Sequence, residues 1–145
     1  NQDSVWTMSA QNKQRSVPWT PVRNLPQRLH CEALHDDADG LRILLRGDDP
    51  SGSTLHLRFE SVIGYRNVNE SYRLRTWAEL NMSQEPPLLI VENSSWLEWL
   101  RGEAGEVADW EKVVHYAVFT SEDCVDIATE FPPTGEWRGS VEKQE

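Results

Sequence analysis

Lysine, cysteine and long apolar runs are scarce in this sequence, and each scarcity closes off a class of function. Only three lysines are present, Lys13, Lys112 and Lys143, which removes most Schiff-base and phosphate-gripping options. Two cysteines, Cys31 and Cys124, are too few for a disulfide framework, so a cytoplasmic location is expected. No stretch approaches the ~18 consecutive apolar residues that cross a bilayer, and no apolar signal core opens the chain. Neither a membrane span nor a membrane partner is expected. Metal spacings such as Cys-x-x-Cys or His-Glu-x-x-His are absent, as are the Gly-x-Ser-x-Gly elbow, Gly-x-Gly-x-x-Gly and the Walker loop. His30, Cys31 and His35 lie close together, but on a strand His30 and Cys31 point to opposite faces. No metal, cofactor or catalytic residue is therefore expected. The basic residues are mainly arginines spread along the chain without a basic aromatic stripe, so nucleic acid is not expected as a partner.

What is present is acid and tryptophan. The 145 residues carry a net charge of −10 and seven tryptophans, against an apolar fraction of 38%. This length suits one domain, and the large tryptophan surfaces compensate for the modest apolar content. The charge is concentrated. Residues 92–136 hold eleven acids against Arg101 and Lys112, whereas residues 1–91 hold eleven acids and ten bases. Such a field repels nucleic acid and anionic membranes and steers a basic partner; it also serves simply as a solvated, solubilising face.

Residues 1–27, polar and punctuated by Pro18, Pro21 and Pro26, read as an extended or mobile N-terminal arm. Trp19 is placed to pin it to the domain. Residues 28–138 read as a single α+β domain and 139–145 as a charged tail. Leu41, Ile43 and Leu45 alternate with Arg42 and Arg46, and Leu55, Leu57, Phe59, Ile63 and Tyr65 alternate with His56, Arg58, Glu60 and Arg66. Period-2 alternation on either side of the turn-rich 47–53 segment predicts an antiparallel hairpin. Residues 67–86 are ambiguous, since Tyr72 to Trp77 fits a strand and Trp77 to Leu80 a helical turn. Leu88 to Val91 reads as a short buried strand. Ser95-Trp96-Leu97-Glu98 fits a capping box opening a helix that ends near Gly102 or Gly105. Residues 113–119 and 124–131 predict a second hairpin. The expected fold is α+β: an antiparallel sheet of about six strands with one short helix packed on it.

Two groups of residues are candidate sites. Trp99 and Trp110 stand among Glu98, Glu103, Glu106, Asp109 and Glu111, a tryptophan within an acidic rim, which suits a basic protein surface. The same tryptophans also serve to close the helix onto the sheet. The second group is Tyr65, Arg66 and Glu70 with His115 and Tyr116. If these meet in a pocket, acid–base chemistry becomes available; otherwise Arg66 and Glu70 form a strand-end pair and His115 is a hydrogen-bonded core histidine.

The run Leu88-Leu89-Ile90-Val91-Glu92-Asn93-Ser94-Ser95-Trp96-Leu97-Glu98-Trp99, followed by His115-Tyr116-Ala117-Val118-Phe119-Thr120, Asp123 and Val125-Asp126-Ile127, resembles small uncharacterised bacterial proteins that include polymorphic-toxin immunity proteins. The resemblance spans about residues 41–131. It implies a small acidic protein that binds a basic toxin without catalysis. The expectation is thus a non-enzymatic acidic protein-binding module, with a small-ligand-binding or hydrolytic protein using a pocket near Arg66, Glu70 and His115 as the alternative.

Overall fold

The computed structural model describes residues 13–48 and 52–139, with the backbone alone at Gln84. The first twelve residues of the expected N-terminal arm, the centre of the 47–53 turn and most of the expected charged tail lie outside the described residues. Alternating apolar side chains build two antiparallel sheets. The first is five-stranded, in the order β1 (Arg15–Pro18), β6 (Leu88–Glu92), β7 (Val114–Phe119), β8 (Asp123–Thr129) and β5 (Gly64–Asn69). The second is four-stranded, in the order β2 (Leu29–Asp37), β3 (Gly40–Gly47), β4 (Thr54–Phe59) and β9 (Thr134–Arg138). Helix α1 (Leu74–Leu80) lies between β5 and β6 in the chain, and α2 (Ser95–Ala104) between β6 and β7. No helix among the described residues is long and apolar enough to cross a membrane.

Both expected hairpins are present, as β3–β4 with Ile43 opposite Leu57 and as β7–β8 with Val118 opposite Val125. The α+β class and the antiparallel pairing stand. The single sheet of about six strands with one helix does not: the described residues form nine strands in two sheets, and two α-helices. The alternating run 55–65 is the source of the difference. It breaks after Phe59, where Thr129 Oγ1 donates to the Ser61 carbonyl and the Ile63 N–H donates to the Ala128 carbonyl, so that the chain passes to β8 and the other sheet. Residues 74–80 take the helical alternative of their ambiguous stretch. Asn81, in the left-handed region at φ 55°, ends that helix.

The two sheets face each other across one apolar layer. Leu41, Ile43, Leu45, Leu55, Leu57 and Phe59 of the second sheet meet Leu88, Tyr116, Val118, Val125 and Ile127 of the first, all buried. Trp19 packs against this layer, its ring 4.9 Å from that of Tyr116, and β1 pairs with β6. The opposite face of the first sheet is covered by the helices. Leu80 and Met82 cover Leu89, Val91, Ala117, Phe119 and Cys124, while Trp96 and Leu100 cover Val113 and Ala128.

Candidate functional site

The helix-covered face of β7 and β8 carries more than apolar groups. His115 and Asp126 project from it, at 3% and 0% exposure. Their neighbours along the strands, Tyr116 and Val125, turn into the apolar layer instead. Five side chains converge here. Asp126 Oδ1 lies 2.6 Å from His115 Nε2, and Oδ2 accepts from both Arg66 Nε and Arg73 Nη1 at 2.8 Å. On the far side of the ring, His115 Nδ1 lies 2.7 Å from Ser94 Oγ. Ser94 in turn accepts from the Leu97 N–H at 3.0 Å.

Ser94 is therefore the N-cap of α2, one residue earlier than the Ser95 of the expected capping box. The third residue of the helix is consequently Leu97 rather than Glu98, so the reciprocal half of that box is absent. Ser95 is held by Gln14 Oε1, which accepts from the Ser95 N–H and hydroxyl.

Hydrogen-bond complementarity assigns the polarity of this chain of groups. An ionised carboxylate only accepts, so His115 donates from Nε2. The Ser94 oxygen serves Nδ1 in either state of the ring: its hydroxyl donates to Nδ1 of the neutral imidazole, and it accepts from Nδ1–H of the charged one. Burial alone would raise the Asp126 carboxyl. The hydrogen bond and charge of His115 oppose this, followed by Arg73 and then Arg66, and together they hold it down at about 2. The cations are themselves packed: Arg66 lies over the Trp96 ring at 5.0 Å and Arg73 over Phe119 at 5.3 Å. Trp96 meets the His115 ring edge-on at 5.1 Å.

The structure thus brings Arg66 and His115 together through Asp126, a residue not picked out as a site in the sequence. It does not bring in the other three. Tyr116 lies in the apolar layer, where burial raises its hydroxyl, and Tyr65 packs against the same layer. Glu70 begins a short 3-10 turn after β5, its N–H donated to the Glu122 carbonyl. Neither Asp126 nor Ser94 could have been singled out from spacing: Asp126 meets His115 across a hairpin and Arg66 and Arg73 from more than fifty residues away, and Ser94 depends on His115 and on a cap displaced by one position.

Next to this network the surface changes character. Trp99, three residues beyond Trp96 on α2, is 59% exposed. With Gly64, Tyr65, Arg66, Ser95, Trp96 and Leu100 it lines a shallow concavity between α2 and β5, so Tyr65 borders this surface although it takes no part in the buried network. Glu103 follows one turn along the helix from Trp99 and Glu98 precedes it, while Glu106 and Glu111 are exposed in the segment after the helix. Asp109 is also exposed, its N–H donated to Glu130 and its carboxylate 3.7 Å from Lys112. Trp110 behaves differently from Trp99. It is half-buried against the α2 cluster, and its indole N–H donates to the Gly105 carbonyl at 2.8 Å, closing the segment that follows the helix. Of the two tryptophans, one presents a surface and the other fastens a loop.

No family model, curated protein or solved structure matches this chain.

Proposed function

We propose that the protein is a non-enzymatic binding module that takes a basic protein surface on the Trp99 side of α2, as a toxin-neutralising immunity protein would. The observation that carries this reading is the exposure of Trp99, a large aromatic group kept in water on a helix whose neighbouring positions are acidic. Exposed tryptophan beside complementary charge is the pairing that interface hot spots favour. The buried network supports the reading indirectly: Ser94 and Arg66 fix the start of α2 and the floor beneath Trp96, so the surface is held ready and little ordering is needed on binding. Glu103, Glu106 and Asp109 supply the steering charge, and Trp110 and Glu111 belong to the loop that frames it.

The test compares pull-downs from a lysate of the native source using the wild type, Trp99→Ala and the triple reversal Glu103→Lys, Glu106→Lys, Asp109→Lys. A basic protein held by the wild type, released by salt and lost from both variants supports the module. Equal capture by the variants removes this surface from consideration.

One observation favours a second, hydrolytic reading: Ser94, His115 and Asp126 form a continuous hydrogen-bonded line. Against it, Ser94 is buried and its oxygen already caps α2. A fluorophosphonate probe separates the two, since labelling at Ser94 would favour hydrolysis and its absence the binding module.

A further inference from the structure

The outer face of the four-stranded sheet gathers arginines that are far apart in the chain. Cross-strand register places Arg42 directly opposite Arg58, and Arg46 opposite Thr54, which is itself opposite Arg138. Like charges directly opposite one another on an antiparallel pair disfavour the pairing, and here the buried apolar side of the same hairpin holds the register against that cost. Three of the four arginines have carboxylate partners: Asp37 for Arg42, Glu32 for Arg46 and Glu136 for Arg138. Among the described residues Arg58 has none, and its Nε donates to the Asp39 carbonyl at 3.2 Å. Arg42, for its part, keeps a buried Nε–H without an acceptor among the described residues. Both arginines open onto one concavity of about 510 Å³, shared with His35, Asp39, His56, Arg138 and Leu44. That volume falls within the range of small-molecule sites.

We infer that this concavity binds a small phosphorylated molecule, its phosphate held between Arg42 and Arg58 and its uncharged part lying over Leu44. Guanidinium groups present planar, paired donors that match phosphate oxygens, and an anion placed between opposed arginines turns their repulsion into attraction. Arg138 extends the positive wall on the β9 side. The site lies on the opposite sheet from Trp99, so it neither requires nor excludes the binding module proposed above.

Inorganic phosphate and phenyl phosphate serve as probes, titrated at constant ionic strength while amide chemical shifts and the thermal midpoint are followed. The expected result has shifts concentrated on β3, β4 and β9, tighter binding of phenyl phosphate than of inorganic phosphate, and a midpoint that rises with either. Arg58→Gln should weaken binding by about tenfold or more, the loss of one charge-assisted contact. Without phosphate its midpoint should equal or exceed that of the wild type, because the opposed charges are relieved. Arg46→Gln, outside the concavity, should bind normally. Equal phosphate binding by wild type and Arg58→Gln, or shifts scattered over the whole surface, would overturn the inference. So would a failure of either probe to bind at millimolar concentration.

Discussion

Strands β7 and β8 have two faces that are buried equally well and built on different principles. Toward the second sheet they present Tyr116, Val118, Val125 and Ile127, an apolar layer that any well-matched set of hydrophobic side chains could fill. Toward the helices they present His115 and Asp126 together with Ala117 and Ala128, and here Asp126 is surrounded by Arg66, Arg73 and His115 at hydrogen-bond distance. Area holds the first face together, whereas direction holds the second. A carboxylate with two oxygens and three donors admits few arrangements, so the polar face fixes where α2 begins and how β5 lies against β8. The apolar face does the larger share of burying, and the polar face carries the geometry that reaches Trp99.

Breaking the polar face at its centre should have the largest effect. Asp126→Asn leaves two guanidinium groups without their buried counter-ion, and a loss of about 3–5 kcal/mol in urea unfolding is expected. A loss under about 1 kcal/mol would mean that the network is decorative. In the apolar layer, Leu57→Ala should cost about 2–5 kcal/mol through lost burial and the cavity left behind. The thermal midpoint should fall while amide shifts around Trp99 stay in place; movement there would show that the two faces are not independent. Acid separates the faces in another way. The folded Asp126 carboxyl, at about 2, lies below its ordinary 3.8, so its contribution is complete above about pH 4 and is lost as pH falls toward 2. That contribution is about 2 kcal/mol. Leu57→Ala should keep this acid slope and Asp126→Asn should flatten it, and parallel slopes would assign the acid sensitivity to other carboxylates. Ser94→Ala, which removes the cap and the hydrogen bond to His115 Nδ1, should cost about 1–2 kcal/mol. Its expected signature is faster hydrogen exchange at the Leu97 amide, and an unchanged rate would relocate the cap.

The same division governs what could be read from the sequence. Alternation at 41–46, 55–59 and 124–129, and the nearly continuous apolar run at 113–119, expose the apolar layer, because both are local properties of the chain. Sheet membership is not local, and nothing in residues 55–65 announces that Phe59 and Tyr65 belong to different sheets. The helix at 74–80 lies within a mixed stretch where Tyr72 and Trp77 favour either state. Trp99 and its acidic neighbours were visible as a cluster because they lie within about four helical turns of chain. Asp126 was hidden, since an acid alternating with valine and isoleucine reads as the wet face of a strand. Only the helices, arriving from other parts of the chain, make that face an interior. The arginines of β3 and β4 already stood on one polar face of the predicted hairpin, but Arg138 joined them only when β9 paired with β4.

The pairing of β9 with β4 has a consequence for the order in which the protein can be made. Trp137 sends its indole N–H to the Arg23 carbonyl, so β9 fastens a segment laid down more than a hundred residues earlier. β1 likewise waits for β6, and β5 for β8. On a ribosome the β2–β3–β4 meander is free to form early, yet neither sheet acquires its full complement of strands until β8 and β9 have emerged. Until then the lateral edges of β4 and β5 remain open. Premature arrest of synthesis would leave an adhesive intermediate, making the final twenty or so described residues the step that converts a nascent chain into one able to remain alone in a crowded solution.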